Sequence, residues 1–242
     1  MEKTLVWSAV LLGAFSGGCG GGGGGVGGIT QSNSSSLSTP TPHSGPAPSQ
    51  PFTIYQTTLS ASSGANTYLG SYSETPNPGA TMFDGQEANS STVSLTITDN
   101  GSPIVSQIGT VYYLASPYQP LGETLSYNGG QFTLVYNSTD ALPATLTVGG
   151  SGPLGTGTYF ASNSNDAVGT LTESYAVASS PLGGTSILLI INATGTINGQ
   201  PISEAISYVV NGEAAMGVAS VDILLNGTTV HFDSSCNGCW DD

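Results

Sequence analysis

Five Asn-Gly dipeptides separate short runs of alternating apolar and polar residues, and this arrangement restricts the fold more than any other feature of the chain. They are Asn100-Gly101, Asn128-Gly129, Asn198-Gly199, Asn211-Gly212 and Asn226-Gly227. Both residue types tolerate the positive φ angles that a two-residue type I′ hairpin turn requires. The dipeptides therefore predict five β-hairpins.

The runs between these turns alternate with a period of two residues. Residues 92–98 read TVSLTIT, which places Val93, Leu95 and Ile97 on one face of a strand. Val, Ile, Thr and Tyr are frequent, as expected for a pleated and half-buried surface. The candidate strands of the C-terminal part are Ser186–Thr196, Pro201–Val210, Ala214–Leu225 and Thr228–Phe232. The residues Glu204–Val210 alone would also suit a helix, but the flanking Asn-Gly pairs favour a strand.

These patterns predict an all-β fold, either an antiparallel sandwich or a barrel-like meander. A body at residues 51–242, about 190 residues long, can bury a sizeable core. The sequence GGSGPLG at residues 149–155 leaves an alternative open, in which two small β-domains are split near this point.

The first 18 residues have the pattern of an export signal. Lys3 supplies one positive charge, and the apolar run Leu5–Phe15 that follows is 11 residues long. A membrane-spanning helix needs about 20 residues, whereas this length suits the apolar region of a signal peptide. We therefore predict a signal peptide at residues 1–18.

The residues that follow this run resemble the cleavage site of a bacterial lipoprotein precursor. Gly17 and Gly18 are the small residues that precede the lipidated cysteine in that family, and Cys19 takes the place of that cysteine. Ser16 departs from the usual Leu three positions before it. The resemblance implies cleavage before Cys19 and its acylation, and Gly20 favours the outer membrane over the inner one. An ordinary secretory signal is the alternative.

Residues 19–50 are predicted to form a flexible tether behind this anchor. They are rich in Gly, Ser, Thr and Pro, including the run Gly20–Gly25, and contain almost no apolar side chains. Such a composition buries too little surface to order itself.

The charge balance excludes several classes of function. The chain carries 15 acidic residues and a single cationic one, Lys3, for a net charge of −14. It therefore has neither the basic patch that nucleic-acid binding needs nor the guanidinium fork that binds phosphate. After the predicted cleavage the mature chain would contain no Lys or Arg and would not become strongly positive in acid, so we expect it to tolerate low pH. Compositional drift in a secreted polar protein is the alternative explanation of this charge balance.

Two cysteines at the C-terminus, Cys236 and Cys239, form a CxxC motif. Outside the cytoplasm a disulfide between them is the expected state. A redox site and a zinc site that also uses His231 and Asp233 are weaker alternatives. We predict no metal and no cofactor.

The carboxylates offer acid–base candidates, because a pair of them can catalyse glycoside or peptide hydrolysis. The candidates are Asp84, Glu87, Asp99, Glu123, Asp140, Asp166, Glu173, Glu204, Glu213 and Asp222. Asp84 and Asp99 belong to turn sequences. A serine triad would have to use His231, and no Gly-x-Ser-x-Gly motif is present.

Eleven tyrosines form the other conspicuous set of side chains. Their amphipathic rings suit either polymer binding or core packing, and cross-strand packing is the preferred interpretation. The sequence thus predicts an exported, lipid-anchored and non-enzymatic module of the cell envelope or surface, with a binding, adhesion or structural role. Its partners would be the membrane, through the anchor, and an envelope polymer or protein. A carbohydrate-binding protein with exposed Tyr and an acid hydrolase are the alternatives.

Overall fold

The structure is a computed structural model that describes residues 44–46, 55–63, 66–115, 117–127, 130–162, 164, 166–182, 186–211, 214–225 and 227–235. All regular elements within these ranges are strands. The predicted all-β fold is therefore confirmed. Within the same ranges no helix is long and apolar enough to cross a membrane.

The described residues form fifteen strands. Their bounds are β1 Ser44–Pro46, β2 Tyr55–Ser63, β3 Asn66–Pro76, β4 Thr81–Phe83, β5 Gln86–Asp99, β6 Ser102–Ala115, β7 Tyr118–Tyr127, β8 Gly130–Thr139, β9 Thr145–Thr147, β10 Ser151–Ala161, β11 Ala167–Ser179, β12 Ile187–Ile197, β13 Gln200–Asn211, β14 Ala214–Leu225 and β15 Thr228–Ser235.

Twelve of these strands close into an antiparallel β-barrel. The hydrogen-bonded order is β3-β2-β15-β14-β13-β12-β11-β10-β8-β7-β6-β5, and β5 pairs back onto β3 to complete the ring. Closure leaves no long unpaired edge in the sheet. Of the two predicted architectures, the barrel is the one that forms. Strands on both sides of residues 149–155 belong to this one sheet.

Two of the five Asn-Gly dipeptides lie wholly within the described residues, and both connect neighbouring strands as predicted. Asn100 and Gly101 have φ angles of 47° and 82°, and Asn198 and Gly199 have 51° and 74°. These values are those of type I′ turns, in which both central residues have positive φ. The hairpin between β13 and β14 differs in one detail, because Asn211 pairs with Ala214 and so ends the strand rather than entering the turn.

Side chains at alternate positions point into the barrel and build one core. Val93, Leu95 and Ile97 on β5 are buried, as the alternation predicts, and they join a cluster that extends around the ring. The intervening residues Thr92, Ser94 and Thr96 lie on the outer face and remain partly or fully exposed. The outer face of this strand is therefore neutral and rich in hydroxyl groups.

The connection between β8 and β10 packs against one end of the barrel. Leu142 and Leu146 in this connection are buried in the main core cluster. Strand β9 lies within it and pairs with β1, so that Ser44 faces Thr147 and Pro46 faces Thr145. These three residues of β1 belong to the segment predicted as a flexible tether. They form a strand because the backbone of β9 offers them a partner.

The β4–β5 hairpin covers part of the outer surface. Asp84 and Gly85 form its turn, with φ angles of 45° and 80°. The Phe83 ring stacks on Tyr112 with centroids 4.3 Å apart, and it lies so close to Gly122 that a Cβ there would sit 2.5 Å from the ring. A small second cluster thereby forms outside the barrel wall.

The predictions for the signal peptide, for Cys19 and for the Cys236–Cys239 disulfide fall on residues outside the described ranges.

Candidate functional site

Four glutamates point into the barrel from four different strands. Glu74, Glu123 and Glu173 are 0% exposed, and Glu204 is 2% exposed. Each follows the inward phase of its strand; on β13, for example, Glu204 alternates with Ile202 and Ile206. The barrel interior therefore contains carboxyl groups as well as the apolar core.

Tyrosine hydroxyls bind three of these carboxyl groups. Tyr159 donates a hydrogen bond of 2.6 Å to Glu123 Oε1, and Tyr136 donates one of 2.6 Å to Glu173 Oε2. One oxygen of each carboxyl group therefore accepts a hydrogen bond. The other oxygens, Glu123 Oε2 and Glu173 Oε1, are buried without a hydrogen bond. Each carboxyl group is thus only half satisfied.

The third pair extends into a longer chain of hydrogen bonds. The Tyr72 hydroxyl lies 3.1 Å from Glu74 Oε2, to which it donates, and 3.3 Å from the Tyr208 hydroxyl. Glu74 Oε1 is buried without a hydrogen bond. This chain joins β3 to β13 across the barrel interior. We refer to the four glutamates with Tyr72, Tyr136, Tyr159 and Tyr208 as the buried Glu–Tyr network.

Burial without a cation favours the protonated form of Glu74, Glu123 and Glu173. Desolvation raises the pKa of Glu123 and of Glu173 to about 8, although the tyrosine hydrogen bonds act in the opposite direction. Desolvation likewise raises the pKa of Glu74 well above its usual value. The chain has no Arg, and its single Lys is Lys3, so none of the strands carries either residue to compensate a buried carboxylate. The network is therefore stabilised by protons rather than by ion pairs.

Glycines on β10 make room for the network. A Cβ on Gly155 would lie 2.7 Å from the Tyr136 ring, and one on Gly157 would lie 2.7 Å from the Leu134 side chain. Gly155 therefore gives Tyr136 of β8 the space to reach across β10 to Glu173 on β11.

The structure brings together only part of the predicted set of carboxylates. Glu123, Glu173 and Glu204 converge inside the barrel, whereas Glu87 and Asp166 are exposed. Asp84 and Asp99 stand in or beside turns, and Asp140 is exposed in the connection that follows β8. Glu213 lies outside the described residues. Glu123 and Glu173 are 0% exposed, and Glu204 is 2% exposed.

Sequence reasoning missed Glu74, and a usable signal was present. Residues 68–74 read YLGSYSE, so Glu74 shares the inward phase of Tyr68, Gly70 and Tyr72. A carboxylate in phase with apolar residues indicates a buried acid, and the same rule identifies the other three glutamates.

Most tyrosine rings lie in the core. The buried ones are Tyr68, Tyr72, Tyr113, Tyr118, Tyr159 and Tyr208. Core packing was the preferred interpretation of these residues, and it is confirmed for this group. The described residues do not show the face of exposed Tyr rings that the carbohydrate-binding alternative predicts.

His231 lies outside the barrel, between two carboxylates. Its Nδ1 is 2.7 Å from Asp222 Oδ1, its Nε2 is 3.5 Å from Asp233 Oδ1, and its side chain is 55% exposed. Both ring nitrogens are therefore directed at carboxylates. Within the described ranges no group of three His, Cys, Asp or Glu side chains has the arrangement of a metal site, and Cys236 and Cys239 lie beyond them.

A shallow groove of about 360 Å³ lies on the outer face of β5 to β8. Thr92, Thr110 and Thr124 occupy one cross-strand row and line it. Ile108, which is 54% exposed, and Gln131 lie further along the groove. Its lining combines the hydroxyl groups of Thr and Ser residues, the amide of Gln131 and the apolar side chains of Ile108, Leu125 and Phe132, and carries no charge.

Comparison of the chain with protein-family models, with curated proteins and with solved structures found no match.

Proposed function

We propose that this protein is a lipid-anchored barrel of the cell envelope that binds a neutral polymer on its outer face without catalysing a reaction. The anchor rests on the resemblance at Cys19. The binding role rests on one observation, which is that core residues and the buried Glu–Tyr network occupy the interior while an uncharged, hydroxyl-lined groove lies outside.

A neutral polysaccharide suits this groove better than a charged polymer. The Thr row and Gln131 supply hydrogen-bond donors and acceptors, and Ile108 supplies an apolar contact. The net charge of −14 repels polyanions, and the groove has no carboxylate to attract a polycation. Specific recognition at such sites depends on a few well-placed polar groups on a partly apolar surface.

The groove predicts retention of the mature protein by a neutral polysaccharide. Native gels that contain a neutral glucan, a chitin derivative or anionic alginate would measure this retention. We expect Ile108→Glu to weaken binding to the retaining neutral polymer by about tenfold, because it places a charge in an uncharged site.

Leu69→Glu is the matched control, since Leu69 is 55% exposed on β3 and lies outside the groove. The binding proposal fails if no neutral polymer retards the protein, or if both variants lose binding equally.

The anchor predicts a change of location on substitution of one cysteine. Cys19→Ser should move the protein from the membrane fraction to the soluble fraction, because several acyl chains are needed for stable anchoring. Cys236→Ser is the control and should stay with the membrane. Mass spectrometry of the wild-type N-terminus should show acylated Cys19, and an unmodified Cys19 would contradict the anchor.

A further inference from the structure

The Thr row in the groove is part of a longer row of hydroxyl groups on the outer wall. Thr75 of β3 pairs with Thr92, and Thr133 of β8 pairs with Thr124, so that five consecutive strands of the sheet carry Thr at matching positions. The full row is Thr75, Thr92, Thr110, Thr124 and Thr133. Neighbouring strands are about 4.8 Å apart, so the row offers a hydroxyl group at this interval around the barrel.

A second row of side chains lies parallel to the Thr row, two residues away along each strand. Ile108 pairs with Ser126, and Ser126 pairs with Gln131. All three line the groove. Two residues of a strand span about 7 Å, so the two rows are separated by about this distance. The hydroxyl and amide groups of both rows can donate and accept hydrogen bonds.

The β4–β5 hairpin bounds the groove on one side. Its Phe83 ring stacks on Tyr112, which lies two residues from Thr110 on the same face of β6. Asn77, in the connection before β4, accepts a hydrogen bond of 3.0 Å from the Thr92 hydroxyl, which leaves that hydroxyl as an acceptor for a ligand. A polymer that ran from the Thr row along the strands would meet the stacked rings, whereas one that runs across the strands would not.

The two rows suit a flat polymer better than a helical one. In an extended, β-linked polysaccharide each sugar ring is turned over relative to the next, so the chain is a ribbon with hydroxyl groups along both edges and C–H groups on both faces. Such a ribbon can place its edges on the two rows and its C–H groups on Ile108. A helical, α-linked chain has a curved surface and reaches fewer of these groups at once. Because the groove is specific through a few polar groups, this difference in contacts determines the affinity.

We propose that the groove binds an extended, β-linked neutral polysaccharide that lies across strands β5 to β8, along the Thr row. Three strand spacings separate β5 from β8, which gives a contact length of about 14 Å, or about three sugar residues. Thr75 and Thr133 continue the row but do not line the groove, as expected of a wall that curves. The inference rests on the proposed function, since it specifies the shape, orientation and contact length of the polymer that the groove holds.

Three series of neutral oligosaccharides test the shape and length of the ligand. Cello-oligosaccharides and fully N-acetylated chito-oligosaccharides are extended, whereas malto-oligosaccharides contain the same glucose units as the cello-series in a helical chain. Isothermal titration calorimetry of the mature protein would measure their affinities from the disaccharide to the hexasaccharide. We expect the better extended series to bind at least about tenfold more tightly than the malto-series at equal length. Its affinity should rise up to about three residues and change little beyond that.

Thr110→Val tests the row itself, because valine has nearly the shape of threonine but lacks the hydroxyl group. We expect it to weaken binding of the extended trisaccharide by about fivefold, as the loss of one neutral hydrogen bond does. Thr172→Val is the matched control, since Thr172 is exposed on β11 and lies outside the groove. This control should bind like the wild type.

The outcomes separate this inference from the proposed function. Binding of the malto-series as tight as that of both extended series would overturn the inference, and so would an affinity that keeps rising to the hexasaccharide or an equal loss in Thr110→Val and Thr172→Val. In each of these cases retention by a neutral polymer would leave the proposed function standing. If no neutral polymer or oligosaccharide binds, both fail.

Discussion

The free energy of unfolding is expected to fall as the pH rises from 5 to 8, opposite to the behaviour of proteins stabilised by ionised carboxylates. The folded-state pKa of Glu123 and of Glu173 is about 8, against an ordinary value of 4.5. Between these two values the folded chain binds more protons than the unfolded chain, so stability decreases with rising pH. The contribution is fully present below about pH 4.5 and is lost by about pH 8.

The expected effect is large because two or more groups act together. Each contributes about 1.4 kcal/mol per pH unit, so Glu123 and Glu173 together contribute about 3 kcal/mol per unit in the steepest part of the range. For a domain of this size that corresponds to a fall in Tm of roughly 10 °C per unit. Thermal melts followed by circular dichroism at pH 4, 5, 6, 7 and 8 would measure it.

Glu173→Gln isolates one of these groups. The amide keeps an oxygen that can accept the hydrogen bond from Tyr136 but cannot ionise, so the variant should be more stable than the wild type at pH 8 and similar at pH 4. Glu87→Gln, which changes an exposed carboxylate, should leave the profile unchanged. A wild-type Tm that rises from pH 5 to pH 8 would contradict the protonated network.

Gly195→Ala is expected to destabilise the barrel by about 3 kcal/mol or more, as overpacking against an immovable neighbour does. A Cβ at Gly195 would lie 1.9 Å from the Thr170 carbonyl oxygen, and one at Gly169 would lie 1.9 Å from the Thr196 carbonyl oxygen. The obstacle is backbone within the eleven-pair β11–β12 ladder, so the strands cannot separate locally without breaking hydrogen bonds.

Gly199→Ala is the matched control for this prediction, because it lies in the turn that ends the same strand. Its φ is +74° and a Cβ there would meet nothing within 4 Å, so the cost is conformational and amounts to about 1 kcal/mol. Urea denaturation at pH 5 would compare the two. If Gly195→Ala lowers the free energy of unfolding no more than Gly199→Ala does, a shift of the strands relieves the close approach.

The acid tolerance expected from composition has a second cause in the fold. The sequence predicts acid tolerance because a chain with no cation beyond Lys3 does not become strongly positive in acid. The structure adds that buried acids require their protons. Both reasons favour low pH, and the second also predicts the instability at alkaline pH.

Local features of the fold were predictable because they depend on neighbouring residues. The predicted strand Ala214–Leu225 has the observed bounds, and Glu204–Val210 is strand rather than helix. Asn198-Gly199 adopts the positive φ angles that its residue types suggest. In each case residues a few positions apart define the alternation or the turn.

The candidate site was only partly predictable. Glu123, Glu173 and Glu204 appeared among ten candidate acids, and the alternation along residues 68–74 marks Glu74 as inward-facing, but nothing local showed that the four converge. The groove was not foreseen, because Thr92, Thr110 and Thr124 become a row only when three strands are in register.

The sequence by itself determined that this chain is built of antiparallel strands joined by tight turns, since alternation and Asn-Gly chemistry act over a few residues. The tertiary structure decided that the sheet closes on itself, through the pairing of β3 with β5 and of β15 with β2. Closure creates the barrel interior. The glutamates at inward positions are therefore buried there, where they face tyrosines from distant strands. Burial and contact between distant residues depend on the whole ring.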